Sequence, residues 1–249
     1  FNNPNYAGCV LATCFPFITI HLRNSINKLE FLIPSAIIFF STTLGIFLTN
    51  SRNSLICSLI GLLLLIKKLK TKSILLISIS YFPLIYLSNF LVINNQELIS
   101  IKDDPRIDLY INSIKYIIER PLLGWGGNSF SLIWNARNET FFAHSHNLFL
   151  ELSIQYGLIT SIILSLMFLL IIVKSFNNVF LRFHSKDQIL LNNNWHEKAW
   201  FTSGLIIILS NLLDIQYYDL RISILLWILL AGMKNIAEEK QLIYKPNNI

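Results

Sequence analysis

Between Ile74 and Ile93 the chain reads "ILLISISYFPLIYLSNFLVI", twenty residues without a charged side chain. A helix of that length, rising 1.5 Å per residue, spans the roughly 30 Å hydrocarbon core of a bilayer. In water the same run would have to be buried on every side, so it restricts the chain to membrane folds. It is not isolated. Apolar runs at about 6–21, 31–49, 53–66, 73–93, 146–173, 198–213 and 220–233 give seven expected spans. Several are shorter than a bilayer is thick, and flanking lysines can extend them by snorkelling. Pro83 marks an expected kink in the fourth. Charged residues make up 14% of the sequence, where a soluble domain carries about a quarter. The expected fold is therefore all-α, a polytopic bundle of membrane helices.

The loops give this bundle an orientation. "KKLKTK" (67–72) holds four lysines and no acid, which places it on the cytoplasmic side. Counting spans outward, the cytoplasmic stretches collect 13 of the 20 Lys and Arg residues against five acids. The opposite side has the other seven, against eight acids. The net charge of +6 is thus a sidedness signal. Basic residues are not interleaved with aromatics as single-strand binding would require, so no nucleic-acid partner is expected. Cys9, Cys14 and Cys57 lie in or beside apolar runs without a C-x-x-C pair, as inert thiols do. The chain opens on Phe1 with no basic signal region, and the expectation is that earlier spans precede it.

One external segment, 94–145, is too polar to cross. Within it Pro105 can start a helix behind Asp103 and Asp104. Ile107, Tyr110, Ile111, Ile114, Ile117 and Ile118 follow at helical spacing, so this helix should lie amphipathically on the membrane or on the bundle. It should stop before Pro121, and "GWGG" should make a turn.

Polar residues gather on that same outer side. Asn5, Arg52, Arg106, His144, His146, Asp214, Asp219 and Arg221 all fall there. An ionisable group at the membrane edge is costly unless paired or used. Each also has an ordinary use: an arginine can snorkel to lipid phosphate, Asp219 and Arg221 can pair, and Trp125 and Trp134 can be interface anchors. His144 and His146 could bind a metal, but zinc needs a third and usually a fourth ligand. His21, His184 and His196 are expected on the other side, so no metal is expected. Ser145 has no G-x-S-x-G elbow around it. "GWGG" is not a nucleotide signature, and Asn138-Glu139-Thr140 is a three-residue match to the glycosylation sequon.

Two outward guanidiniums suit a phosphate-bearing ligand, because their forked donors match phosphate oxygens and stay charged. A histidine can take a proton from a hydroxyl near neutral pH. The set points to group transfer from a lipid-linked phosphate donor to an acceptor hydroxyl.

"NPNYA" (3–7), "LTNSRNSLI" (48–56), "RPLLGWGGNSF" (120–130) with Arg106 ahead of it, "HSHNLFLELSIQYGLI" (144–159) and "DIQYYDLRISILLWILLAG" (214–232) resemble, in order, the O-antigen ligase and polymerase superfamily. The resemblance implies a GT-C-type membrane glycosyltransferase of about a dozen helices, of which this chain would supply about seven. It implies a bacterial inner-membrane location and a periplasmic active face. The donor would be an undecaprenyl-pyrophosphate-linked glycan and the acceptor a lipid A core, a growing glycan or a protein serine, with no cofactor and no metal. By motif, His146 would be the catalytic histidine, and Arg52 and Arg106 would clamp the pyrophosphate. His144, Asn147, Asp219 and Arg221 would support them, and Trp125 and Gly126 would shape the external loop. Two other readings stand beside the enzyme: a transporter, since some relatives are labelled bicarbonate transporters, and a non-catalytic scaffold. A transporter would place charges near the midplane on repeated halves. No internal repeat is present, and the charges gather at one surface.

Overall fold

A computed structural model describes residues 3–66, 105–138, 140–181 and 194–242. The expected span 73–93 with Pro83, the "KKLKTK" loop, residues 94–104 and His184 lie outside them. Among the described residues every regular element is helical. In chain order they are α1 (Pro4–Ser25), α2 (Leu29–Leu48), α3 (Arg52–Ile66), α4 (Pro105–Glu119), α5 (Ser129–Arg137), α6 (Leu148–Phe176), α7 (Trp195–Leu213) and α8 (Leu220–Leu242). A short π-helical turn, Asn177–Leu181, continues α6.

Six of the seven expected spans coincide with α1, α2, α3, α6, α7 and α8. Four helices, Pro4–Ser25, Glu30–Leu48, Leu148–Leu181 and Leu220–Glu238, are long and apolar enough to cross a bilayer. α3 is a shorter apolar helix. α7 departs from the expected pattern because it is the interior helix. It buries Thr202, Ser203, Ser210 and Asn211 together with Ile206 and Ile207. α1 packs against α2, α3 and α7. The core between them includes Phe15, Phe39, Cys57, Leu62 and Ile206.

Local chemistry sets the helix starts. Asn3 accepts a 2.8 Å bond from the Asn5 backbone N–H, and Pro4 opens α1 where its missing N–H costs nothing. Asn50, at φ 55°, makes the tight turn from α2 into α3.

Three asparagines at three helix starts then converge on the C-terminal end of α7. Asn5 donates to Asp214 at 2.9 Å, Asn53 to the Ser210 carbonyl at 2.9 Å, and Asn147 to the Leu212 carbonyl at 2.9 Å. The last carbonyls of a helix lack intrahelical partners, and Asn147 supplies one to Leu212, while Asn53 adds a second donor to the Ser210 carbonyl and Asn5 meets the Asp214 side chain. One end of the bundle is thereby tied into a single polar platform. His21 in α1 and His196 in α7 belong to the opposite end, as expected from the loop count.

Helix α4 starts at Pro105 and ends at Glu119, as the sequence predicts. Its packing face differs from the expected stripe. Leu109, Ser113, Tyr116 and Ile117 are buried, whereas Ile107, Ile111, Ile114 and Ile118 are exposed. Trp134 is buried, stacks on Phe130 and donates to the Thr140 carbonyl at 2.8 Å, so it is a core residue rather than an interface anchor.

Candidate active site

The polar platform carries the "AHSHN" turn. Asn147 caps α6, its Oδ1 accepting from the Leu150 N–H at 3.1 Å. Just before the cap, His146 adopts φ 55°, a left-handed conformation that costs a non-glycine residue on the order of 1 kcal/mol. The surroundings hold it there. The buried Glu151 carboxylate accepts the Ser145 backbone N–H at 2.8 Å, and Ser145 Oγ donates to the Asn147 carbonyl at 3.1 Å.

The His146 ring is fixed from below. Its Nδ1 lies 2.7 Å from Asp214 Oδ1, while Asp214 Oδ2 accepts from Asn5 Nδ2. Asp214 is the C-cap residue of α7 and its side chain is only 7% exposed, whereas that of His146 is 25% exposed. A carboxylate at Nδ1 favours the tautomer whose Nδ1 carries the proton, leaving Nε2 as the free base. The geometry is therefore that of a histidine–carboxylate pair whose second ring nitrogen is left as the base.

His144 packs edge-on against His146, with ring centroids 4.4 Å apart, and lies over Tyr218 at 6.0 Å. Burial, and next the neighbouring His146, pull its pKa below the ordinary imidazole value; Asp214 and Glu151 offset part of this. Its buried Nδ1 has no hydrogen-bond partner among the described residues. Behind it, Glu151 Oε1 accepts from Gln155 Nε2 and from Tyr218 OH, both at 2.7 Å. Burial and the Glu151 charge push the Tyr218 phenol well above its usual range, so it remains a donor. Sequence reasoning places Asn5 and Asp214 among the outer-side residues without giving them a role, and it does not reach Glu151, Gln155 or Tyr218. The "HNLFLELSIQ" pattern held one signal, because a carboxylate in the first turn of an apolar helix invites a partner.

Asp219 and Arg221 pair with each other, Nε to Oδ1 at 3.0 Å and a second contact of 2.6 Å. The guanidinium draws the Asp219 pKa down to about 2. The carboxylate that meets His146 is Asp214, not Asp219. Arg52 is exposed at the first position of α3, one residue before Asn53 and so on the same platform. Arg106 is exposed in the first turn of α4.

Trp125 and Gly126 meet α6 at a break. Gly157 inside α6 has φ 84° and ψ 165°, which interrupts the helical bonding there. The loop 121–126 fills the gap. Trp125 N–H donates to the Ile154 carbonyl at 2.7 Å, Gly126 N–H to Gln155 at 2.9 Å, and Leu158 N–H to Pro121 at 2.8 Å. A Cβ on Gly157 would collide with the Leu122 carbonyl, so glycine is required by space as well as by φ. The Trp125 indole donates to the Tyr116 carbonyl at 2.8 Å, and the Arg120 guanidinium lies 4.0 Å above its ring.

Ligand atoms of His144, His146 and Asp214 lie within 4.8 Å of one another. The third metal-ligand candidate missing from the sequence reading is thus Asp214. Each of its two oxygens already meets one protein group, His146 at Oδ1 and Asn5 at Oδ2.

A family model described as O-antigen ligase matches residues 36–165. The chain belongs to the O-antigen ligase family. The match covers Arg52, Arg106, Trp125, Gly126 and the histidine turn, and ends before Asp214. The chain is also similar to a ComP-specific O-oligosaccharyltransferase of Acinetobacter baylyi, 23% identical over 195 residues, which is 71% of this chain and 35% of that protein. It therefore spans about a third of that relative's length. No solved structure matches. As an O-antigen ligase family member it is an all-helical membrane protein, in agreement with the apolar helices.

Proposed function

We propose that this chain carries the catalytic face of a membrane glycosyltransferase. The enzyme moves a glycan from an undecaprenyl-pyrophosphate donor to a hydroxyl at the periplasmic face of the inner membrane. The observation that carries the reading is the His146–Asp214 contact of 2.7 Å at the edge of a membrane bundle. His146 Nε2 accepts the hydroxyl proton as the acceptor oxygen attacks the anomeric carbon from the face opposite the pyrophosphate, which inverts that centre. Asp214 steadies the imidazolium that forms. Arg52 and Arg106 hold the departing pyrophosphate by charge-assisted hydrogen bonds.

The step runs on protein groups without a metal. What supports this is the commitment of both Asp214 oxygens to protein donors. The family match supports a lipid-linked donor, and the A. baylyi relative, by name a ComP-specific O-oligosaccharyltransferase, supports oligosaccharide transfer to an oxygen. The exposed platform, with its charges at one end of the bundle, supports an enzyme over a transporter with midplane sites.

The test is replacement of the gene by its His146→Ala form, with lipopolysaccharide resolved on a gel. Lipid A core lacking chains, with polymer retained on its carrier, identifies a ligase; core bearing one repeat identifies a polymerase. Loss of glycan from a secreted protein alone identifies a protein acceptor. An unchanged glycan profile, with the variant at its normal level in the membrane, would overturn the proposal.

A further inference from the structure

α6 is longer than a bilayer needs. Its 29 residues reach about 43 Å, against a hydrocarbon core of roughly 30 Å. Side-chain chemistry shows which end protrudes. Glu151, Ser153 and Gln155 are buried polar residues of the segment before Gly157. After it the exposed side chains are mainly apolar, Ile159, Ile162, Ile163, Leu166 and onward, with Lys174 the charged one near the far end. The twenty residues from Gly157 to Phe176 match one bilayer crossing by themselves. Gly157 therefore marks the edge of the hydrocarbon.

The loop 121–126 is bonded to α6 at that level, through Ile154, Gln155 and Leu158. It brings two leucines with it, Leu122 at 64% and Leu123 at 87% exposure. The apolar stripe on the outer side of α4 leads down to them, and exposure rises along it from 38% at Ile107 through 50% at Ile114 to 70% at Ile118. Four large aliphatic side chains are thus most exposed where the lipid-facing surface of α6 begins. The opposite side of α4 is already used, since Leu109, Tyr116 and Ile117 pack with Phe130, Trp134 and Ile154.

We propose that Ile114, Ile118, Leu122 and Leu123 form a hydrophobic foot seated in the lipid at the edge of the bilayer. The partner of this surface is the membrane itself. An apolar patch continuous with a lipid-facing helix is covered by lipid without a further protein, and amphipathic segments bury such faces a few ångströms below the headgroups. The foot fixes the height of the external loop and, through the backbone bonds to α6, of the histidine turn above it. The inference needs only the membrane position of α6 and does not depend on the chemistry at His146.

The test uses single cysteines at Ile118, Leu122 and Leu123, each carrying a nitroxide, in the protein reconstituted into phosphatidylethanolamine–phosphatidylglycerol vesicles. Cys14→Ser removes the exposed native thiol, and Cys9 and Cys57 are fully buried. Asp108→Cys, on the polar flank of α4, is the reference. Collisions with dissolved oxygen are expected to exceed those with a water-soluble nickel chelate at the three foot positions, and the reverse is expected at Asp108. Chelate access at the foot equal to that at Asp108 would overturn the proposal. Protection from both reagents would overturn it too, in favour of protein cover from a partner or from other segments of a longer chain.

Discussion

Asn147 Nδ2 donates to the Leu212 carbonyl at 2.9 Å while its Oδ1 caps α6. One side chain thus starts the helix behind the histidines and ties it to the end of α7, which supplies Asp214. Asn147→Asp keeps the cap and loses the tie, whereas Asn147→Ala loses both. The alanine variant is expected to be less stable than the aspartate variant by about 1 kcal/mol, the usual worth of a cap. Both should lose activity, because the His146–Asp214 spacing depends on the tie. Thermal unfolding in detergent, with transfer assays alongside, checks both points.

Asp214→Asn preserves shape but removes the charge that faces the His146 imidazolium. Turnover is expected to fall by about 10²- to 10⁴-fold, as for other histidine–carboxylate pairs. Asn5→Ala, which removes one donor from Asp214 Oδ2, should cost much less. Equal losses in the two variants, measured with purified donor and acceptor, would count against Asp214 acting on the histidine.

His144 gives the fold a pH dependence. Its folded pKa lies below the ordinary value of about 6.5, because burial and His146 disfavour the charged ring. The unfolded chain therefore takes up this proton first as pH falls. The stability contributed by His144 is complete above pH 6.5 and is lost as pH drops through the folded value. His144→Gln should flatten the decline in unfolding temperature between pH 8 and pH 5, and unfolding followed at several pH values tests it.

Gly157→Ala is expected to destabilise severely, through about 1–3 kcal/mol of backbone strain and, in addition, the collision with Leu122. Gly127→Ala, where a Cβ meets only the Tyr156 hydroxyl at 3.8 Å, should be close to neutral. Comparing the monodisperse yield and unfolding temperature of the two variants measures the difference.

Arg52→Lys and Arg106→Lys retain charge and lose the forked donor set. Each is expected to reduce transfer on the order of 10²-fold, the scale seen when one stabilising donor is removed from a transition state. Turnover and donor affinity unchanged in both variants would remove the pyrophosphate role.

Much of this architecture is legible in the residues. Pro105 behind two aspartates starts α4, Pro121 follows its end, and the apolar runs locate six of the described helices. The buried face of α4 was not legible, because exposed isoleucines and buried isoleucines obey one periodicity. Nor was the choice of Asp214 over Asp219. The two stand five residues apart in one loop, and only the register of α7 against α6 decides which meets His146. The break at Gly157 escaped for the same reason. A glycine within an apolar helix reads as a packing residue until the loop that enters beside it, some thirty residues upstream, is seen.

The join between that loop and α6 consists of main-chain atoms, which reverses the usual tolerance of a surface connection. Side chains at Leu122 or Leu123 can change without touching the three backbone bonds. A one-residue insertion or deletion between Pro121 and Gly126 cannot be absorbed, since it would leave a donor or carbonyl of the break unmatched at the membrane edge. At Leu122 and Leu123 length rather than spelling is the heritable quantity, and deep mutational maps should show the segment closed to indels while these two positions accept other side chains of like polarity.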